Sequence, residues 1–113
     1  MKYSKVYIDS FGYELPPNVI TSDDLENRLE PLYQALQFKK GQLEAITGIQ
    51  ERRFWDSGYA MFQGAFAAAQ KALEASGIAP EKIGMLIYGG VCRDNLEPAT
   101  ACAVADGLAL GPQ

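Results

Sequence analysis

Histidine is absent from this sequence of 113 residues, and cysteine occurs only twice, at Cys92 and Cys102. Most nucleophilic and general-base schemes at neutral pH use histidine, so we do not expect a stand-alone catalyst. Two cysteines are too few for a disulfide framework and are typical of a reducing compartment. The sequence therefore favours the cytoplasm.

An excess of positive charge and long apolar runs are also missing. Ten basic against fourteen acidic residues give a formal charge of −4 and a pI near 4.7. Nucleic-acid binding needs clustered Lys and Arg, and the basic residues here are scattered, so we expect no nucleic-acid partner. The N-terminal residues lack the apolar core of a signal peptide, and no run is long enough to span a bilayer.

The first half of the chain predicts one strand and several short helices. Residues 2–9 alternate apolar and polar side chains, which is typical of a strand. Thr21 and Asp24 have the spacing of a capping box at a helix start. Leucines follow at helical spacing up to residue 36, and Pro31 divides them into two short helices or one kinked helix. A further short helix is predicted from Lys40 to Thr47, ended by Gly48.

The second half predicts a long helix, a buried strand and a final helix. Residues 51–56 have no clear period and are predicted to form a loop. Asp56 or Ser57 is expected to cap the helix that follows, which Gly77 ends. Residues 83–88 are continuously apolar, as in a strand covered on both faces, and residues 97–108 are predicted to be helical.

This order of elements predicts the α/β class. Only two strands are evident, and two strands cannot close a buried sheet. We therefore expect residues 1–113 to form a single incomplete domain.

Three stretches, found in the same order, resemble the N-terminal third of the β-ketoacyl-acyl-carrier-protein synthase III family of the thiolase superfamily. They are the loop at residues 13–21, the Thr-Gly-Ile-Gln-Glu-Arg-Arg turn at residues 47–53, and the strand beginning Ile83-Gly84 followed by residues 97–102. The resemblance covers essentially the whole chain. It implies the first part of a thiolase-fold domain, a mixed sheet covered by helices.

Within that family, residues 52–56 and 93–101 resemble most closely the OleA subgroup, which condenses two long fatty acyl thioesters without decarboxylation. Gln42 and Ile46 stand where synthase III enzymes carry a Trp and an Arg that grip coenzyme A. The resemblance thus implies acyl-coenzyme A or acyl-carrier-protein substrates and no other cofactor or metal. It also implies a homodimer of the complete enzyme.

The family's mechanism requires a cysteine at a helix N-terminus, a histidine, and a further histidine or asparagine. None of these positions is present in this sequence. We expect a companion polypeptide or a continuation of the chain to supply them. Cys92 and Cys102 are interpreted as buried structural thiols, because free cysteine is commonly a core residue.

Glu97 is the candidate catalytic residue. The matching glutamate of the OleA subgroup reaches across the dimer and removes the α-proton of the second acyl chain. An apolar acyl tunnel would desolvate a carboxylate and make it a stronger base. The alternative is that Glu97, followed by Pro98, stabilises the dipole at a helix start.

Four other residues are candidates for substrate binding. Trp55 either lines an acyl channel or packs in the core. Gly89 and Gly90 either allow the backbone to approach an acyl chain or form a turn after the strand. Arg93 is expected to form an ion pair with Asp94, which either orients the loop or lies on the surface.

Three functions remain open at this point. The first is a non-decarboxylative Claisen condensation of fatty acyl thioesters to a β-keto acid. The second is the decarboxylating synthase III reaction of acyl-coenzyme A with malonyl-acyl carrier protein, in which loss of CO2 removes the need for an external base. The third is a non-catalytic scaffold subunit of a heteromeric complex.

Overall fold

The computed structural model describes residues 3–111. The chain divides into two compact units, Leu15–Gly58 and the combination of Met1–Glu14 with Tyr59–Gln113.

The unit Leu15–Gly58 combines a two-stranded antiparallel sheet with three short helices. Strand β1 pairs with β2 so that Ile20 lies opposite Arg52. The elements follow the order β1 (Asn18–Thr21), α1 (Ser22–Arg28), α2 (Glu30–Leu36), α3 (Gln42–Thr47) and β2 (Glu51–Phe54).

Local signals in the sequence determine where these helices begin and end. The Thr21 hydroxyl accepts a hydrogen bond from the Asp24 amide at 3.0 Å, and the Asp24 carboxylate accepts one from the Thr21 amide at 3.1 Å. The predicted capping box is therefore confirmed. Pro31 lies in the first turn of α2, and Gly48 ends α3 in the left-handed conformation with φ 68°. Both predictions are confirmed.

The prediction of a loop at residues 51–56 is wrong over its first four residues, which form β2. Their side chains show no apolar alternation because the sheet has only two strands and three of the four residues are exposed. The strand is determined by pairing with β1, more than 30 positions earlier in the chain, and a local pattern cannot report that pairing.

The second unit contains α4 (Met61–Ser76), a 3₁₀ turn (Pro80–Lys82) and α5 (Thr100–Gly107). Gly77 ends α4 with φ 65°, as predicted. The expected cap at Asp56 or Ser57 is wrong, because α4 begins four residues later with Ala60 in the capping position. The Asp56 carboxylate instead accepts a hydrogen bond from the Asn18 side chain at 2.8 Å.

The helices α4 and α5 pack against each other around a small core. Val104 and Leu108 of α5 are buried. A Cβ atom on Gly107 would lie 2.9 Å from the Phe66 ring of α4, so glycine permits the close approach here. Gly12 lies still closer to α4, since a Cβ atom there would lie 2.2 Å from the Ala68 carbonyl oxygen.

Neither predicted strand of this unit is formed within the described residues. Residues 3–9 and 83–88 belong to no sheet, and Lys2 lies outside the described residues. A strand requires a hydrogen-bonded neighbour, and neither segment pairs with one here. Several of their apolar side chains accordingly face solvent, with Ile8 87% and Ile87 84% exposed, whereas Ile83 and Leu86 are half-buried. Among residues 3–111, no helix is long and apolar enough to cross a membrane.

Candidate functional site

Glu97 lies on an irregular segment, residues 89–99, which joins the apolar run at 83–88 to α5. Helix α5 starts at Thr100 rather than at residue 97, and its first turn contains no acidic residue. The predicted helix start is therefore wrong by three residues, and Glu97 does not lie in the first turn. Glu97 is exposed to solvent.

Asp94, three residues before Glu97, binds the start of α4. Its Oδ1 atom accepts a hydrogen bond from the Met61 amide at 2.8 Å, and its Oδ2 atom accepts one from the Phe62 amide at 2.9 Å. The first amides of a helix have no hydrogen-bond partner within the helix. In α4, two of them are satisfied by a residue more than 30 positions away. The carboxylate also places negative charge at the positive end of the helix.

The predicted ion pair between Arg93 and Asp94 is wrong. In residues 3–111 the one salt bridge joins Lys71 to Glu14. The carboxylate of Asp94 faces α4, whereas Arg93 lines a separate small pocket of about 220 Å³ together with Tyr88 and the start of α5. The two side chains therefore have different surroundings although they are neighbours in sequence.

Gly89 and Gly90 have ordinary backbone conformations, since neither has a positive φ. A Cβ atom on Gly89 would meet no atom within 4 Å. A Cβ atom on Gly90 would lie 2.7 Å from the Tyr88 hydroxyl oxygen. Gly90 thus packs against the Tyr88 side chain, while Gly89 borders open space in this chain. Whether either approaches an acyl chain stays a prediction.

Trp55 follows β2 in the other unit and is half-buried. It belongs to Leu15–Gly58, whereas Gly89, Gly90, Arg93 and Glu97 belong to the unit that contains α4 and α5. Its predicted role in an acyl channel stays a prediction.

Both cysteines are exposed, so the prediction of buried thiols is wrong for this chain. The buried positions of α5 are Thr100 and Val104, and with the capping residue Leu108 they form one stripe at a spacing of four residues. Cys102 lies two residues from Thr100, on the opposite side of the helix. It is inside the helix and not at its first residue, and Cys92 lies in the irregular segment.

The turn at residues 47–53, which carries part of the family resemblance, is held by Ser22 at the start of α1. The Ser22 hydroxyl donates a hydrogen bond to the Ile49 carbonyl at 2.5 Å and accepts one from the Arg52 guanidinium at 2.8 Å. The Ser22 amide donates to the Gln50 carbonyl at 2.8 Å. The motif thus joins β2 to α1 and has a structural role in this unit.

Glu26 is a buried carboxylate that the sequence reasoning missed. Its oxygens accept hydrogen bonds from the Leu43 amide at 2.7 Å, the Gly41 amide at 2.6 Å and the Tyr33 hydroxyl at 3.1 Å. These bonds, led by the one from Leu43, hold the pKa of Glu26 below its ordinary value, against the opposing effect of burial. Glu26 fixes the chain entering α3, and its position four residues after Ser22 places both buried polar residues on one face of α1.

Gln42 and Ile46 lie four residues apart on one face of α3, and neither side chain is aromatic or cationic. Ile46 is 74% exposed, and the Gln42 side-chain oxygen accepts a hydrogen bond from the Lys39 amide at 3.3 Å. In residues 3–111, no group of three or more Cys, Asp or Glu residues could hold a metal ion.

No family model matches the chain, but individual proteins do. The chain is 51% identical over 110 residues to an acyl-CoA:acyl-CoA alkyltransferase of Shewanella oneidensis, covering 97% of the chain and 32% of that protein. It is 34% identical over 105 residues to a β-ketoacyl-acyl-carrier-protein synthase III of Natranaerobius thermophilus, covering 93% of the chain and 30% of that protein. The chain therefore spans about a third of the length of the curated relatives it matches.

Among solved structures, OleA of Xanthomonas campestris with a histidine replaced by aspartate superimposes with a TM-score of 0.79 at 38% identity. The match covers 92% of this chain and 31% of that one. Structures of the same protein also exist with a glutamate replaced by aspartate or by glutamine.

The fold and the sequence together define the chain as a segment of a thiolase-superfamily protein. Within that superfamily it belongs with the synthase III and OleA proteins, whose N-terminal part it matches. The α/β fold class and the incomplete thiolase-type domain are confirmed.

Proposed function

We propose that the chain is part of an OleA-like acyltransferase that performs a non-decarboxylative Claisen condensation of two fatty acyl thioesters to a β-keto acid. The observation that carries the proposal is the identity of 51% over 97% of the chain with an alkyltransferase that uses two acyl-CoA molecules, against 34% with a synthase III. The substrates are then acyl-coenzyme A or acyl-acyl carrier protein, and the compartment is the cytoplasm.

The chain needs a partner to carry out this reaction. It contains no histidine, and its cysteines lie within α5 and in an irregular segment. Cys102 is the third residue of α5 and Cys92 lies eight residues before that helix, so neither stands at the strand-to-helix turn that the family's nucleophile occupies. The nucleophilic Cys, the His and the Asn therefore come from a companion polypeptide or a continuation of the chain. We refer to the assembly of both as the complete enzyme, and we propose that it is a homodimer.

Glu97 is the proposed general base. It lies on an exposed segment between α4 and α5, without a hydrogen bond that would occupy its carboxylate in the described residues. Such a carboxylate is free to enter the active site of another subunit, where an apolar acyl tunnel would strengthen it as a base. The enolate formed by removing the α-proton would attack the acyl group held as a thioester on the nucleophilic cysteine, expelling the cysteine thiolate and leaving a β-ketoacyl thioester. Hydrolysis of that thioester by water would then release the β-keto acid and the thiol of its carrier.

Substitution of Glu97 by glutamine in the complete enzyme tests this role. The amide is nearly isosteric but cannot accept a proton at neutral pH, so the first acylation should proceed while condensation falls on the order of a hundredfold or more. Acylation is followed by mass spectrometry of the protein and condensation by release of the β-keto acid. A near-normal rate of condensation would remove Glu97 from the mechanism.

A mixing experiment then tests whether Glu97 acts across the dimer. Hybrid dimers of Glu97→Gln with a variant lacking the nucleophile contain one site with both groups intact. Recovery of part of the activity is expected on mixing. If mixing recovers nothing although Glu97→Gln is inactive, the base acts within its own subunit.

The decarboxylating synthase III reaction is the second candidate, because synthase III proteins are also relatives of the chain. Loss of CO2 generates the carbanion in that reaction, so Glu97→Gln should leave it unchanged. The scaffold alternative predicts that the complete assembly has no condensing activity with either set of substrates.

A further inference from the structure

We infer that Asp94 is a positioning residue for Glu97, acting by fixing the segment 89–99 to the N-terminus of α4. The inference rests on the proposed function, because it gives Asp94 a role only if Glu97 acts as a base. Asp94 would not touch the substrate; its effect would pass through the backbone between residues 94 and 97.

The contact of Asp94 with α4 is isolated within its segment. The two oxygens of Asp94 accept hydrogen bonds from the Met61 and Phe62 amides at 2.8 and 2.9 Å. Residues 89–98, all of which the structure describes, have no other hydrogen bond. Asp94 alone therefore connects this segment by hydrogen bonds to a regular element. A charged acceptor shared by two amides makes that connection strong and directional.

Glu97 lies between two fixed points, the contact of Asp94 with α4 and the start of α5. Asp94 holds one side of the segment at α4, and Ala99 is the capping residue of α5, whose Thr100 and Val104 are buried. Only four residues separate these points, and one of them is Pro98, whose φ is fixed by its ring. Glu97 is thus carried on a short span anchored at both ends. Without Asp94 the span would be anchored only at α5.

The N-terminus of α4 depends on the same contact. Ala60 has no side chain that can cap the helix, and the first turn of α4 contains no acidic residue. Asp94 consequently serves both α4 and the segment that carries Glu97. A test must separate helix stabilisation from the positioning of Glu97.

Asp94→Ala in the complete enzyme provides the main measurement, with the condensation rate divided by the amount of acyl-enzyme formed. That ratio counts only molecules folded well enough to be acylated. Displacement of a reacting group by about 1 Å can cost on the order of a hundredfold, so we expect a fall of about tenfold or more. The KM for the second acyl thioester should change little.

Two further variants make the result decisive. Ala60→Asp added to Asp94→Ala should supply a local cap, because Ala60 has the extended conformation of a capping residue, with φ −77° and ψ 145°. It should raise the melting temperature without restoring condensation. Gly12→Ala disturbs α4 at its contact with residues 11–13 and should leave condensation per acyl-enzyme unchanged.

A normal rate per acyl-enzyme in Asp94→Ala would overturn the inference, as would an equal fall in Gly12→Ala or recovery of condensation with Ala60→Asp. Glu97→Gln, measured in parallel, separates this failure from failure of the proposed function. If Glu97→Gln is inactive and Asp94→Ala is normal, only the positioning role is lost. If Glu97→Gln condenses normally, the base role and the inference both fail.

Discussion

Two buried polar side chains, Ser22 and Glu26, connect distant residues of the unit Leu15–Gly58. Ser22 and Glu26 are each 1% exposed, and their partners are mainly backbone groups of the turns before and after α3. Buried polar groups are tolerated where their hydrogen-bonding capacity is met, as it is for both residues. They therefore determine where α1, α3 and β2 meet.

Glu26 gives a prediction about pH. Its carboxylate has a pKa below the ordinary value of 4.5, so its stabilising contribution is complete above that pH and is lost as the pH falls through the lowered value. Glu26→Gln should lower the melting temperature of the complete enzyme at pH 7. The difference from the wild type should shrink as the pH falls below about 4.5. Thermal unfolding followed by circular dichroism between pH 3 and pH 7 provides the measurement.

Glu44→Gln is the matched control, because Glu44 is an exposed residue of the neighbouring helix α3. It should leave the melting temperature almost unchanged. An unchanged melting temperature for Glu26→Gln at pH 7, or a difference that does not vary with pH, would contradict the assigned role.

Elements of this chain were predictable where their signals are local. The capping box of Thr21 and Asp24 spans four residues, and Gly48 and Gly77 directly follow the helices they end. The start of α4 was not predictable in this way, because Asp94 caps it from more than 30 positions away. Strand β2 escaped prediction for the same reason, since its partner is β1.

The close packing of Gly12 against α4 gives a prediction about the stability of the fold. Gly12→Ala should destabilise the complete enzyme by roughly 1–3 kcal/mol, because the added methyl group would meet the Ala68 carbonyl oxygen and the Ala72 amide of the helix backbone. Gly107→Ala is the comparison variant. Its methyl group meets only the edge of the Phe66 ring, which can move, and alanine gains helix propensity of about 0.5–1 kcal/mol.

Chemical denaturation of both variants checks this prediction. We expect a clear fall in the free energy of unfolding for Gly12→Ala and a change near zero for Gly107→Ala. Equal effects of the two substitutions would mean that the backbone contact at Gly12 is not the tighter one.

At the scale of the whole molecule, exposed apolar side chains far outnumber buried ones. Val104 and Leu108 are the buried hydrophobic residues among those described, whereas Met85 is 77% exposed and Val91 is fully exposed.

The resemblance to the synthase III family identified the fold class, which the similarity to OleA confirms. The strands predicted at residues 2–9 and 83–88 have the apolar composition of sheet strands but no partner here. Composition can indicate a strand, but only a second strand can complete it.

Only part of the candidate site was predictable from the sequence, because one of its contacts joins residues that are distant along the chain. Glu97 was found because a family motif surrounds it, whereas the contact of Asp94 with α4 depends on three-dimensional proximity. The exposure of Cys102 follows from its place opposite the stripe of Thr100, Val104 and Leu108, a consequence of helix geometry that composition alone did not reveal.

The condensation itself is the most direct test of the proposed function. The complete enzyme is supplied with a fatty acyl-coenzyme A whose carboxyl carbon is labelled with carbon-13, in the absence of any malonyl donor. We predict a β-keto acid that contains the carbons of both acyl chains and both labelled positions, with no labelled CO2 released in the enzymatic step. Formation of product only after malonyl-acyl carrier protein is added, with release of its CO2, would contradict the account.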